Sequence, residues 1–115
     1  MPYVATTLNN LGVFHSDQNR MEEAGKAYEE ALKIRRQLEQ KYSDTYLPDV
    51  AATLNNLGVL HSDQNRMEEA GKAFEEALGI YQRFAARDPD QYGPRVLHVE
   101  RLLDALKGKD RTERK

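Results

Sequence analysis

The residues best able to do chemistry in this 115-residue chain come in matched sets. His15 and His61 lie 46 positions apart, as do Asp17 and Asp63, and the pairs Asn9-Asn10 and Asn55-Asn56; His98 stands alone. Two imidazoles at such a separation are not a metal site by themselves. Neither has a second ligand at i+3 or i+4, and zinc needs three or four converging ones. They read as satisfied core histidines. Asp17, Asp63, Glu22 and Glu23 could pose as paired carboxylates, but they fall in turns and first helical turns, where capping and the helix dipole already account for acidic groups. There is no glycine-rich phosphate loop and no serine, histidine and acid in a nucleophile arrangement, so an enzyme is not expected. The asparagines are the sharper feature. An amide side chain both donates and accepts, and so can grip a peptide backbone without demanding a particular side chain.

These groups recur because a whole stretch recurs. Val50–Ile80 repeats Val4–Ile34 at an offset of 46, and 27 of 31 aligned positions are identical. The differences are Thr6/Ala52, Phe14/Leu60, Tyr28/Phe74 and Lys33/Gly79. A fixed long period is the mark of a repeat architecture, in which each unit buries its apolar face on its neighbour.

Each unit reads as two helices. Pro2 suits a first turn. Over residues 4–16, Val4, Leu8, Leu11, Gly12 and His15 project to one side at about 100° per residue, and Thr6, Asn9, Asn10 and Val13 to the other. Thr7 and Phe14 lie between. Gly12, costly inside a helix, marks a close approach by another helix. Asn19 tolerates the left-handed conformation that ends the first helix. The second helix starts at Met21 and buries Met21, Ala24, Ala27, Tyr28, Ala31, Leu32, Arg35, Leu38 and Tyr42. Gly25 has no evident reason on this reading. Residues 43–47 are expected as a loop closed by Pro48. The cycle then repeats: helix 48–63, turn 64–66, helix 67–87, loop 88–93. Pro94 opens a third round that loses the amide pair and the glycine, with Arg101, Leu102 and Asp104 in their places. It is read as a capping helix over 94–107. The charged stretch 108–115 is expected to be a disordered tail.

The motif Leu-Asn-Asn-Leu-Gly (8–12, 54–58), with Ala24/Ala70, Tyr28/Phe74 and Ala31/Ala77 after it, resembles the tetratricopeptide repeat. The Thr-Leu-Asn-Asn-Leu opening and the Glu-Glu-Ala-Leu-x-Ile run resemble its long-repeat subclass found in kinesin light chains. The resemblance covers 4–34 and 50–80, with 94–107 as a degenerate cap. It implies an all-α, right-handed helical-repeat solenoid of two helix-turn-helix repeats (about 2–47 and 48–93) plus a capping helix, one domain over 1–107. It further implies a concave groove lined by the first helix of each pair, which binds a peptide. Carried onto this chain, the groove is Thr6, Asn9, Asn10, Val13, Ala52, Asn55, Asn56 and Val59, with His98, Arg101, Leu102 and Ala105 from the cap. The sequence departs from the family in its long period, in having Arg36 and Gln82 where a proline would end the second helix, and in Asn9 and Val13, which replace the lysine and arginine of a carboxylate clamp.

The expected function is a protein-interaction scaffold for a protein or peptide ligand. The competing class is self-assembly, as a homo-oligomer or helix-swapped array through an uncapped N-terminal face with Thr7 and Phe14 exposed. The chain could equally be the C-terminal end of a longer array. A net charge of −2 gives no nucleic-acid footprint. No apolar run approaches the roughly 20 residues of a membrane span. There is no signal-peptide pattern and no cysteine, so no disulfide or thiolate site is possible. No cofactor or metal is expected, and a cytoplasmic protein is the default.

Overall fold

The computed structural model describes the backbone of residues 2–114 and the side chains of residues 3–108. Five helices follow one another: α1 (Pro2–Asp17), α2 (Met21–Lys41), α3 (Ser43–Asp63), α4 (Met67–Ala85) and α5 (Pro89–Arg114). No strand occurs among the described residues. Each helix packs on the next, giving an all-α helical repeat measuring 46 × 33 × 20 Å.

The turns inside the two pairs close as the asparagines demand. Asn19 and Asn65 have φ of 59° and 63°, the left-handed region that this side chain tolerates better than most. Arg20 N–H then bonds back to His15 C=O at 2.8 Å, and Arg66 N–H to His61 C=O at 2.7 Å. These bonds satisfy carbonyls that a helix end otherwise leaves free.

Within each pair the glycine of the first helix receives an aromatic ring of the second. A Cβ built on Gly12 would stand 2.5 Å from Cε1 of Tyr28, and one on Gly58 would stand 2.5 Å from Cε1 of Phe74. Between pairs the contact uses the other glycine. A Cβ on Gly25 would come 3.5 Å from Leu60 Cδ2, and one on Gly71 3.8 Å from Leu106 Cδ2. Gly25 and Gly71 thus sit where a leucine of the following repeat arrives, at a distance that would also admit a methyl group, so the space alone does not require glycine there. The main core joins α3, α4 and α5 through Val50, Leu54, Phe74, Tyr81, Val99 and Leu106; a smaller one joins α2 and α3 through Ala24, Tyr28, Leu57 and Leu60. On the outer side, Arg36 of α2 makes a two-pronged bond to Glu76 of α4, at 2.9 and 3.0 Å. That carboxylate holds the guanidinium above its usual pKa.

Several boundaries differ from expectation. The second helices do run past Arg36 and Gln82, to Lys41 and Ala85. The expected loop 43–47 is instead the start of α3, with Pro48 inside the helix. Tyr42 C=O accepts from Thr45 and Tyr46 N–H, so the helix nucleates before the proline, and Pro48 removes one bond near its beginning rather than from its middle. Asp44 also pairs with Arg87, at 3.5 Å, pinning this early turn. Residues 89–93 of the expected loop 88–93 are likewise the start of α5. Asp88 caps it, its Oδ1 accepting from Gln91 N–H at 3.2 Å, and Pro89 takes the first-turn position that was expected for Pro94. The backbone of 108–114, expected as a disordered tail, continues α5. Lys109, Arg111, Glu113 and Arg114 are good helix formers, and no proline stops them. Residue 115 lies outside the described residues. Leu11 and Tyr42, expected to be buried, are 42% and 58% exposed.

Candidate functional site

The candidate groove residues lie on α1, α3 and α5, the first helices of the successive rounds. Thr6, Asn10, Val13, Val59 and Arg101 are exposed; Asn9, Asn55 and Asn56 are half-buried. The expected face is therefore wet on α1 and partly closed on α3, where neighbouring helices flank it on both sides.

The asparagines do not behave alike. Asn56 Nδ2 donates to Asn9 Oδ1 at 3.2 Å, and Thr53 Oγ1 donates to the same oxygen at 3.4 Å. This bridge ties α1 to α3. Two of the four asparagines thus spend part of their hydrogen-bonding capacity inside the scaffold, and the expected role of Asn56 as a free backbone grip is corrected to that extent. The Asn10 side chain makes no hydrogen bond among the described residues and is exposed.

Asn55 differs again: its Oδ1 is buried without a partner among the described residues. The repeat supplies the reason. Asn55 is the counterpart of Asn9, whose oxygen is served by Thr53 and Asn56. The counterparts of those two donors on α5 are Val99 and Leu102, which have no polar atom to give. A buried amide oxygen without a donor is uncommon and costly.

Near that point the first helices form a concavity of about 170 Å³ lined by Val59, Ser62, Asp63, Leu102, Ala105 and Leu106, with the Phe74 ring at its floor. Val59, Leu102 and Ala105 were on the expected groove; Ser62 and Asp63 were not. The missed residues sit at the end of α3, inside the expected helix 48–63, where Asp63 was read only for its part in ending the helix. Asp63 at the rim gives this hollow an acidic edge.

Thr53 was also missed, although it is the repeat of Thr7. It is fully buried and accepts from Arg35 Nη1 at 2.5 Å while donating to Asn9. Arg35 also donates to the Asp49 carbonyl at 3.2 Å. A chain of polar contacts therefore runs from α2 through α3 to α1.

The histidines are placed differently from expectation. His15 and His61 are half-buried, and the Nδ1 of each is buried with no hydrogen-bond partner among the described residues, so they are not satisfied in the way expected. No cluster of three metal-ligating side chains occurs among the described residues. None of the described helices is long and apolar enough to cross a membrane. The buried Tyr28 phenol is pushed above its usual pKa, first by burial and then by the Asp17 carboxylate. Tyr81 is raised as well, chiefly by burial.

A protein-family model described as tetratricopeptide repeat matches residues 3–83. No curated protein matches the chain.

Proposed function

The chain belongs to the tetratricopeptide repeat family, and on that footing we propose that it is a scaffold holding a peptide segment against the α1–α3–α5 face. Repeats of this family generally mediate protein–protein interaction and form a non-catalytic scaffold. The observation that carries the reading here is the apolar hollow between α3 and α5, taken together with the unengaged side-chain amide of Asn10 on α1. Asn10 and Val13 are exposed on α1, and Val59 opens onto the hollow floored by Phe74. In this reading Asn10 exchanges hydrogen bonds with the peptide backbone, and Thr6 and Arg101 flank it. An apolar side chain of the peptide enters beside Val59, Leu102 and Ala105. The acidic edge at Asp63 favours a basic residue next to that side chain. Asn9 and Asn56 hold the two helices at the spacing the peptide meets, and their bond makes them supports more than contacts. The closeness to the kinesin-light-chain subclass belongs to the same proposal, as does a site of action in the cytoplasm.

A peptide array followed by titration of the best binder tests this. Asn10→Ala and Val59→Asp should each weaken binding about tenfold or more, with thermal unfolding of Asn10→Ala unchanged. Binding that ignores both substitutions would refute the groove as the site.

A further inference from the structure

α1 leaves an apolar strip bare on a face separate from the groove. Val4 is 45%, Leu11 42% and Phe14 54% exposed, and Thr7 between them is exposed too. Forty-six residues later the same strip is covered: Val50, Thr53, Leu57 and Leu60 are at most 4% exposed. Three of the four residue types are identical; the fourth changes from Phe to Leu. The repeat therefore displays what this strip fits: on α3, α2 is the element set against Thr53, Leu57 and Leu60, while Val50 joins the α3–α4–α5 core. Gly25 faces Leu60, Ala24 and Tyr28 pack with Leu57 and Leu60, and Arg35 donates to Thr53 and to the Asp49 carbonyl.

We propose that the Val4–Thr7–Leu11–Phe14 strip docks, from a partner, an amphipathic helix of the α2 type. Such a helix runs antiparallel to α1, sets a glycine against Phe14, and ten residues later sets an arginine against Thr7. Phe14 stands where α3 has Leu60, so a position without a side chain opposite it leaves room for the larger ring. The arginine requirement follows from the Thr7 hydroxyl, which has no hydrogen-bond partner among the described residues.

The repeat also says which helices do not fit. α4 carries Tyr81 where α2 carries Arg35, and it packs on α5, which has Val99 in place of the threonine. Threonine goes with arginine and valine with tyrosine, so Thr7 selects the α2 type. A second copy of this chain has no such helix to offer, since its α2 is already covered by α3 and its α4 by α5.

The probe is a synthetic peptide of the α2 sequence, residues 21–41, titrated into the full chain and followed by fluorescence anisotropy. Saturable binding is expected. Leu11→Asp in the chain should weaken it about tenfold or more, from the lost burial of one leucine. Arg35→Ala in the peptide should weaken it about tenfold against the native chain, and far less against Thr7→Val. Asn10→Ala in the chain should leave it unchanged, which separates this face from the groove. Leu11 is exposed, so Leu11→Asp leaves the fold intact, and circular dichroism checks it. Absence of saturable binding overturns the proposal. So does binding insensitive to Leu11→Asp, as displacement of the chain's own α2 would give. A dimer in sedimentation that Leu11→Asp dissolves would make a second copy the occupant, and overturns it too.

Discussion

Arg35 Nη1 stands 2.5 Å from Thr53 Oγ1 across the α2–α3 junction, with Arg35 7% exposed and Thr53 fully buried. A guanidinium at that depth is tolerable only while its donors are used, because an unpaired buried charge is expensive. Thr53→Val should therefore destabilise the chain by about 1–3 kcal/mol in denaturant unfolding. Arg35→Tyr alone should also destabilise. Together they copy the Tyr81 and Val99 of the next junction, and the pair should cost clearly less than the sum. Strict additivity in the double-mutant cycle would count against a coupled pair.

The glycines divide into those in contact and those in open space. A Cβ at Gly58 would lie 2.5 Å from the Phe74 ring, whereas at Gly79 it would meet nothing within 4 Å. Gly58→Ala should lower stability by about 1–3 kcal/mol through overpacking. Gly79→Ala should raise it by up to about 1 kcal/mol, since alanine is the better helix former. Thermal melts of the two variants should move in opposite directions.

Asn55 offers a repair. Leu102→Asn rebuilds on α5 the donor that Asn56 supplies to Asn9. It sacrifices apolar burial but gives the orphaned Asn55 oxygen a partner. Measured by unfolding, Leu102→Asn should cost about 1 kcal/mol less in the native chain than in an Asn55→Ala background. Equal costs in both backgrounds would mean that the new amide does not reach Asn55.

Alkaline pH should loosen the fold. Tyr28 and Tyr81 hold their protons more tightly in the folded chain than an exposed phenol does. The folded state thus binds more protons than the unfolded one above the ordinary tyrosine pKa of about 10. Stability is full below that pH and falls as pH rises through the folded values. Tyr28→Phe copies Phe74, so it should fold well at neutral pH and shift the alkaline unfolding midpoint upward. An unchanged midpoint would remove Tyr28 as a cause.

Much of this was readable from the chain alone, for a physical reason. Two near-identical segments with helical periodicity can bury their apolar faces only by stacking, so the helix order, the Asn19 and Asn65 turns and the packing at Gly12 followed. The helix starts did not. Pro48 and Pro94 looked like boundaries, but a proline one turn inside a helix loses a single bond, and Tyr42 and Asp88 had already begun the helices. Burial along α1 was legible only in part: Thr7 and Phe14 are exposed as expected, but the exposure of Leu11 was not foreseen. Leu11 and Leu57 sit in identical local sequence, yet one is 42% and the other 3% exposed, because burial depends on the neighbour. The split among the asparagines was hidden for the same reason: Asn9 meets α3 residues that Asn55 has no copies of on α5.

That unequal coverage sets an order of events for unfolding. α1 is held by α2 along one side and by little more than the amide bridge on another, while α3 is enclosed by α2 and α4. Amide protons of α1 should therefore exchange with solvent first and those of α3 last. Two stretches of nearly the same sequence would then report opposite ends of the protection scale, making the molecule its own control for separating the influence of composition from that of position.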